Sequence, residues 1–391
     1  MSELPGPPLR IAVLGDFDGP HTRSWVRTFV ERGHNVHAIS YYTPTADLPG
    51  VTLHVLSRRN PLSPAGERGG ASNLRRRLPP NLLRLIQAVR YRRAGLRRVL
   101  DEIRPDVFHA HYAVEHGLYG ATAGFHPYVI SAWGSDLLVE SHKRVGRRTA
   151  SWALKCADLV TGNDASLVRR AVELGVAPEK AAVVHLGIER LFLGAGAFSV
   201  NLLEDDDSPP ALISYRALEP LYNIAIILRA FSEVRASFPG ARLIVANSGS
   251  WNSQLVQELG PSVQFVGQKD QQWLAMRLAL SHVAISVPSS DSLALSNLEA
   301  MAAGAFPIVS DLPSVDGWIE DGVNGLRVRP GDVAALAFAI RRALDDPELR
   351  RRAAVHNRQL VEARGLREPN MLLMERHYYR LAGHPVADQT I

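Results

Sequence analysis

Cysteine is almost missing from this sequence of 391 residues, which contains only Cys156. A single cysteine excludes an intrachain disulfide framework and a zinc site built on several cysteines. The amino-terminal residues lack the basic and apolar stretches of a signal peptide, and no apolar run is long enough to span a bilayer. We therefore expect a cytoplasmic protein without structural disulfides or membrane-spanning helices.

Acidic residues are missing from one long segment of the chain. Between Arg68 and Leu100 there are ten arginines and no aspartate or glutamate, whereas the whole chain has 44 basic and 39 acidic residues. Apolar residues recur in this segment at helical spacing, and a basic amphipathic helix can lie on anionic lipid. The segment predicts an anionic membrane surface as a partner, at the inner face of the cell membrane. An ordinary helix with solvated arginines is an equal alternative.

The rest of the composition is that of a globular protein, with 46% hydrophobic and 21% charged residues. Short apolar runs, such as residues 9–14 and 107–110, alternate with segments of helical period. This is the pattern of a parallel sheet with helices on both faces. Because the alternation restarts near Ala211 and the chain is too long for one core, we predict an α/β protein with two doubly wound, Rossmann-like domains.

A break in this alternation predicts the domain boundary. Residues 193–210 contain two glycines, an acidic run and two consecutive prolines, which is typical of a linker. We predict an amino-terminal domain over residues 1–195, a linker over 196–210 and a carboxyl-terminal domain over 211–368. The final helical segment and tail, residues 369–391, could pack back on the amino-terminal domain.

The strongest chemical signal is the string SDSLALSNLEAMAAG at residues 290–304. A strand precedes it and a helix begins in it, so the helix amides are expected at the carboxyl edge of the sheet, where open α/β sheets bind ligands. Residues 289–292 can cap this helix. The carboxylate of Glu299 can accept hydrogen bonds from two neighbouring ribose hydroxyls.

This string resembles the retaining glycosyltransferases of family 4, of the "glycosyl transferases group 1" type, which carry two glutamates eight positions apart; here an aspartate replaces the first of them. Asp291 and Glu299 have that spacing. The resemblance implies a GT-B fold, with two domains facing a central cleft. It also implies that Glu299 holds the ribose, that Asp291 contacts the donor sugar, and that the amides of Ser292, Leu293 and Ala294 approach the diphosphate. A capping aspartate and a solvated glutamate are the alternative.

A second part of the resemblance lies in the loop after the first strand of the carboxyl-terminal domain. The family has an arginine and a lysine there, which neutralise the leaving diphosphate. Arg216 matches the arginine, and the lysine is absent. Arg216 is therefore implied to stabilise charge on the departing nucleotide. A surface arginine paired with Glu219 is the alternative.

The amino-terminal domain is the acceptor side in this family. Gly15 and Gly19 stand where the family has a glycine-rich loop near the donor phosphate, although a plain turn is an equal expectation. The resemblance implies that His111 lies at the rim of the cleft and makes a polar contact with the substrate. Trp133 replaces a family histidine and could stack on a sugar. Asp136 matches a family aspartate, which could position the acceptor or cap a helix.

The resemblance implies a metal-independent, retaining transferase of the hexosyltransferase type, with no cofactor. Its substrate would be a nucleotide-diphosphate sugar, UDP- or GDP-linked, and its acceptor a carbohydrate or lipid-linked hydroxyl, in polysaccharide, capsule or glycolipid biosynthesis. His109 and His111 show no third metal ligand. The alternatives are a scaffold that binds nucleotide sugar and a nucleotide-sugar epimerase of the same fold. Nucleic acid is not expected as a partner, because the arginines are the only feature that would indicate it and the sequence contains no recognised nucleic-acid-binding module.

Overall fold

The computed structural model describes residues 6–45, 47–56, 80–203, 208–247 and 254–385, without the side chains of residues 80–91 and 254–255. The chain divides into two compact units. The first unit comprises Met1–Val184 and Met371–Ile391, and the second comprises His185–Asn370. The predicted class, α/β with two parallel-sheet domains, is confirmed.

The first unit is built on a sheet whose strands are all parallel, in the order β3-β2-β1-β4-β5-β6-β7. The strand order changes direction between β1 and β4, and such a switch point is where open α/β sheets bind ligands. The strands are β1 (Arg10–Leu14), β2 (Asn35–Ser40), β3 (Thr52–Val55), β4 (Val107–His111), β5 (Tyr128–Ala132), β6 (Leu159–Gly162) and β7 (Ala181–Val183). The helices are α1 (Pro20–Glu31), α2 (Pro80–Ile103), α3 (Leu118–Ala123), α4 (Ser135–Leu138), α5 (Arg144–Lys155) and α6 (Ala165–Glu173).

The second unit repeats this plan with the strand order β10-β9-β8-β11-β12-β13, again all parallel. Its switch point lies between β8 and β11. The strands are β8 (Ala211–Ser214), β9 (Arg242–Val245), β10 (Val263–Phe265), β11 (Val283–Ser286), β12 (Phe306–Ser310) and β13 (Leu326–Val328). The helices are α7 (Leu191–Gly196), α8 (Ile224–Val234), α9 (Gln254–Leu259), α10 (Gln271–Ala279), α11 (Leu295–Ala303), α12 (Val333–Asp345), α13 (Pro347–Arg364) and α14 (Arg367–Leu381).

The predicted linker, residues 196–210, is anchored to the second unit where the structure describes it. The Ser199 hydroxyl donates to the Gly304 carbonyl at 3.1 Å, and the Asn201 amide donates to the carbonyls of His282 and Gly304 at 2.9 Å. Phe192, which precedes the predicted linker, is fully buried in that unit. These contacts move the boundary between the units to residues 184 and 185. The acidic run at 204–207 lies outside the described residues.

The last turns of α14 belong to the first unit. The Tyr378 hydroxyl lies 3.1 Å from the indole nitrogen of Trp25 on α1 and 2.5 Å from Nδ1 of His109 on β4. Glu375 accepts from Arg32 and lies 2.8 Å from His34. The carboxyl-terminal helix therefore closes the core of a unit that begins at the other end of the chain.

The arginine-rich segment 68–100 lies largely outside the described side chains, although residues 80–100 are helical, in α2. Two of its described arginines contact other parts of the first unit. The Arg92 guanidinium lies 4.7 and 4.4 Å from the ring centres of Tyr41 and Tyr119, and Arg97 donates to the Ala123 carbonyl at 3.0 Å. Both side chains help to hold α2 in place, and Arg92 is partly buried whereas Arg97 stays exposed to solvent. No helix in the described ranges is long and apolar enough to cross a bilayer.

Candidate functional site

The motif predicted to begin a helix does so later than expected. Helix α11 starts at Leu295, and the preceding residue, Ala294, has no side chain that could cap it. The expected capping by residues 289–292 is therefore wrong. The backbone there is held elsewhere, because the Ser289 amide donates to the Leu221 carbonyl at 2.8 Å and the Ser289 hydroxyl lies 2.9 Å from the Asn223 amide nitrogen.

The three residues predicted to approach a diphosphate lie just before α11. The side chains of Ser292, Leu293 and Ala294 are buried, so any contact with a ligand there would be made by the main chain. Because no side chain in the described ranges caps α11, its first amides have the character of an anion-binding helix start.

Arg216 and Asp291 are 75 residues apart in the sequence and form a direct ion pair. They follow β8 and β11, the neighbouring strands at the switch point. Arg216 Nη2 donates to Asp291 Oδ2 at 2.6 Å and Nη1 donates to Ser296 Oγ at 2.9 Å. The Arg216 guanidinium also lies 4.4 Å from the ring centre of Tyr222. The partner of Arg216 is thus Asp291 and not Glu219, and the two paired side chains are only 12% and 20% exposed.

Glu299 lies on α11, one turn beyond Ser296, and is half-buried. Burial raises the pKa of Glu299 to about 7, against the opposing effects of a hydrogen bond from Tyr215 and the positive charges of Arg367 and Arg216. The Tyr215 hydroxyl lies 2.6 Å from the Ser296 carbonyl as well, so its single proton is shared between this carbonyl and Glu299. A carboxylate in this setting is suited to accept hydrogen bonds from neutral hydroxyls, since it is ionised above neutral pH and poorly hydrated.

Arg367 is a site residue that the sequence did not reveal. Its main-chain amide donates to the Ile188 carbonyl at 2.9 Å, and its guanidinium pairs with Glu189 at 3.0 Å. Gly187, at φ 64°, allows this approach, because a Cβ there would lie 2.5 Å from the Arg367 main chain. This proximity depends on a bridge between Ile188 and Leu366, which no local motif encodes.

In the first unit, His111 and Trp133 come together at the carboxyl ends of β4 and β5. Their ring centres are 5.0 Å apart, and the Trp25 ring centre lies 5.1 Å from that of His111. Burial lowers the pKa of His111, so the ring is neutral at neutral pH. Its Nδ1 lies 3.3 Å from the Thr22 hydroxyl, while its Nε2 is buried without a hydrogen-bond partner among the described residues. A buried nitrogen without a partner requires an explanation, which a bound water molecule or a polar ligand group would supply.

His109 has a purely internal role. Its Nδ1 lies 2.5 Å from the Tyr378 hydroxyl and its Nε2 lies 2.8 Å from the Ser131 hydroxyl. Burial lowers the pKa of His109 to about 3. With both ring nitrogens engaged, it cannot act as a ligand. Within the described ranges, no group of three histidine, cysteine or acidic side chains is arranged to hold a metal ion.

Asp136 is fully buried, and among the described residues its carboxylate accepts hydrogen bonds only from main-chain amides. The donors are Ala113 at 2.8 Å, Gly134 and Leu137 at 3.0 Å, and Trp133 at 3.2 Å. Burial raises the pKa of Asp136, and these donors oppose the rise. The structure therefore places Asp136 as the residue that shapes the loops after β4 and β5, and not as a contact to the acceptor.

Asp136→Ala is expected to lower the free energy of unfolding by about 3 kcal/mol, because it leaves several buried amides without an acceptor. Asp136→Asn should lose less, since it keeps one oxygen. Chemical denaturation of the three proteins measures this effect. An Asp136→Ala protein of normal stability that has lost its activity would instead favour a direct role in the chemistry.

Of the two glycines predicted in the loop before α1, only Gly15 stands where a side chain would meet close neighbours. A Cβ at Gly15 would lie 3.2 Å from Thr22 Cγ2 and 3.5 Å from the His111 Cβ. Gly19 precedes α1 at φ −68°, which any residue adopts, and a Cβ there would meet only the Asp16 carbonyl, at 3.4 Å. Gly15 thus lets α1 approach β4 closely.

Two family models match the chain. Residues 10–164 match the family described as "Glycosyl transferase 4-like", and residues 201–360 match "Glycosyl transferases group 1". The first match lies in the first unit and the second lies in the second unit. Together they include the site residues that the sequence predicts, whereas Arg367 lies outside both matches.

Several individual proteins are also similar to this chain. The glycogen synthase of Mycobacterium tuberculosis is 27% identical over 278 residues, which cover 66% of this chain and 64% of the synthase. The phosphatidyl-myo-inositol mannosyltransferase of Mycobacterium leprae is 31% identical over 199 residues, which cover 49% of this chain and 47% of that protein. The crystal structure of Anabaena HepE in complex with UDP matches 95% of this chain and 100% of its own with a TM-score of 0.71 at 17% identity, which shows a shared fold.

Proposed function

The chain belongs to the glycosyl transferases group 1 and has the α/β GT-B fold, and from this premise we propose that it transfers a sugar from a nucleotide-diphosphate sugar to an acceptor hydroxyl. The observation that carries the proposal is the cluster of Arg216, Asp291 and Glu299 beside the start of α11. The cluster combines a cation for phosphate with two carboxylates for hydroxyl groups.

In this proposal each residue of the cluster has one part of the donor to bind. Glu299 accepts hydrogen bonds from the ribose hydroxyls, and Asp291 accepts from the donor sugar. Arg216 and the main chain at residues 292–294 hold the diphosphate. Of the two nucleotides expected, UDP is favoured over GDP because the HepE structure contains UDP.

The chemistry proposed is a metal-independent exchange at the anomeric carbon with retention of configuration, by a hexosyltransferase. The bond from this carbon to the phosphate oxygen breaks, a bond to the acceptor oxygen forms on the same face, and the departing phosphate takes the acceptor proton. Because negative charge grows on the phosphate, a fixed cation is most valuable there. Arg216 supplies that cation, in the absence of the family lysine.

The acceptor is proposed to bind the first unit through His111 and Trp133. The neutral imidazole, with its unsatisfied Nε2, can hydrogen-bond a hydroxyl, and an indole can stack on a sugar face. A carbohydrate or lipid-linked acceptor fits this pair of side chains. The similarity to a phosphatidyl-myo-inositol mannosyltransferase supports a lipid-linked acceptor, and with it a role in glycolipid, capsule or polysaccharide biosynthesis.

A nucleotide-release assay with UDP-, GDP- and ADP-sugars, and with a lipid extract as acceptor, tests the proposal. We expect sugar-dependent release that Glu299→Ala abolishes. Donor binding without release under any acceptor would favour the scaffold, an alternative motivated by the absent lysine and by the Arg216–Asp291 pair. Conversion of the donor sugar without an acceptor would favour the epimerase.

A further inference from the structure

Helix α5 has a face that the first unit does not cover. Ala150, Ala153 and Leu154 are buried, and on the opposite side the helix exposes a set of cationic and apolar residues. At 3.6 residues per turn this set occupies roughly half of the helix circumference. This α5 face consists of Arg144, Val145, Arg147, Arg148, Trp152 and Lys155.

The cations of the α5 face are not neutralised by the described part of the chain. Arg144, Arg147, Arg148 and Lys155 line an open depression of about 740 Å³ and form no ion pair with a described residue. Glu173 also lines the depression, but it pairs with Arg170 at 3.0 Å. The α5 face therefore has an uncompensated positive charge, which attracts an anionic partner.

Apolar side chains lie among these cations. Val145 is 74% exposed and Trp152 is 47% exposed. Exposed apolar surface beside several cations is the pattern of a helix that lies in a lipid interface, where indole rings sit at the level of the headgroups and arginine stems extend along apolar surface. A hydrophilic polyanion would gain nothing from Val145.

We propose that the α5 face docks the protein on an anionic phospholipid membrane. This surface is distinct from the arginine-rich segment 68–100, in which Arg92 and Arg97 already contact the first unit. The α5 face also lies close in the chain to the candidate acceptor residues. Helix α5 follows Trp133 through α4, and Glu140, just before α5, accepts a hydrogen bond from Tyr112 at 2.8 Å. The role of this docking, to deliver a lipid-linked acceptor, rests on the proposed function.

Sedimentation of the full chain with vesicles tests the docking without any transfer reaction. The vesicles contain equal parts of phosphatidylglycerol and phosphatidylcholine, or phosphatidylcholine alone. Each cation near an anionic surface contributes appreciably to binding, so Arg144→Glu with Arg147→Glu and Arg148→Glu should weaken binding to the anionic vesicles by about 100-fold or more. Trp152→Ala should weaken it by about tenfold.

A matched control separates the α5 face from net charge. The change of Arg229, Arg342 and Arg352 to glutamate alters the net charge equally, on exposed helical positions of the second unit, and should leave most of the vesicle binding intact. If the charge-reversed protein unfolds, the change of Arg144, Arg147 and Arg148 to glutamine replaces it as the test variant. Unchanged binding of the α5 variants, or an equal loss in the control, would overturn the proposal. So would tighter binding to a single-stranded oligonucleotide that depends on the same arginines. Transfer to a soluble acceptor would survive a failed docking test, so the two proposals fail separately.

Discussion

Replacement of Glu299 by alanine should weaken donor binding by at least about 100-fold and remove transfer at ordinary donor concentrations. A carboxylate that accepts two hydrogen bonds from vicinal hydroxyls makes two charge-assisted contacts, each worth about 1.5–3 kcal/mol. The remaining contacts to the diphosphate cannot replace them. Titration calorimetry with UDP and with UDP-sugar measures the loss directly, and thermal unfolding of the variant checks that the fold is intact.

The same carboxylate should make donor affinity depend on pH near neutrality. The pKa of Glu299 is raised to about 7 by burial, and the ionised form is the one that accepts both ribose hydroxyls. Donor binding therefore favours loss of the proton. Affinity should be constant well above pH 7 and should fall, by up to about tenfold per pH unit, well below it.

The controls for this pH profile come from the neighbours of Glu299. Glu299→Gln cannot titrate, so its weak residual affinity should not change across the same window. Tyr215→Phe removes a hydrogen bond that lowers the pKa of Glu299, so the midpoint of the profile should move to higher pH. An intact nucleotide sugar is the proper ligand, because its phosphates carry a constant charge near neutrality. A flat profile for the unmodified protein would refute the role assigned to Glu299.

The fold could be predicted because its signal is local and repeated. Parallel strands buried on both faces are short apolar runs, and β4 and β5 are buried at every position. The boundary at residue 195 was misplaced because composition near Gly194 and Gly196 resembles a linker. The tertiary contacts of Phe192 and Asn201, which sequence composition does not show, attach this segment to the second unit.

The candidate site could be predicted only in part, because some of its contacts are tertiary and sequence composition does not show them. The spacing of Asp291 and Glu299 pointed to the correct helix. The start of α11 depends on contacts of the preceding loop with Leu221 and Asn223, across the switch point. Arg367 reaches the surroundings of Glu299 through main-chain pairing with a distant segment. Such contacts follow from the order of strands in the sheet, which local patterns do not determine.

Arg216→Ala should lower kcat by about 100- to 1,000-fold, the usual effect of removing a fixed donor from developing negative charge. Arg216→Lys should recover little of this, because a lysine keeps the charge but loses the planar fork that reaches Asp291 and Ser296 together, and the stacking on Tyr222. Single-turnover release of the nucleotide separates this loss from a change in binding. An unchanged kcat in Arg216→Ala would remove the arginine from the chemistry.

Asp291→Asn provides the decisive comparison, because it acts on the same ion pair from the other side. In the structure Arg216 gives one of its hydrogen bonds to Asp291 at 2.6 Å, so a diphosphate has to compete with this carboxylate for the guanidinium. Asparagine removes the competing charge. UDP should therefore bind Asp291→Asn as tightly as the unmodified protein or more tightly, while transfer falls because the donor sugar loses its charged acceptor. The effects of Arg216→Ala and Asp291→Asn should also be non-additive, since both substitutions break one shared interaction. Weaker UDP binding in Asp291→Asn would mean that the pair holds the site together and that Arg216 does not exchange Asp291 for the diphosphate.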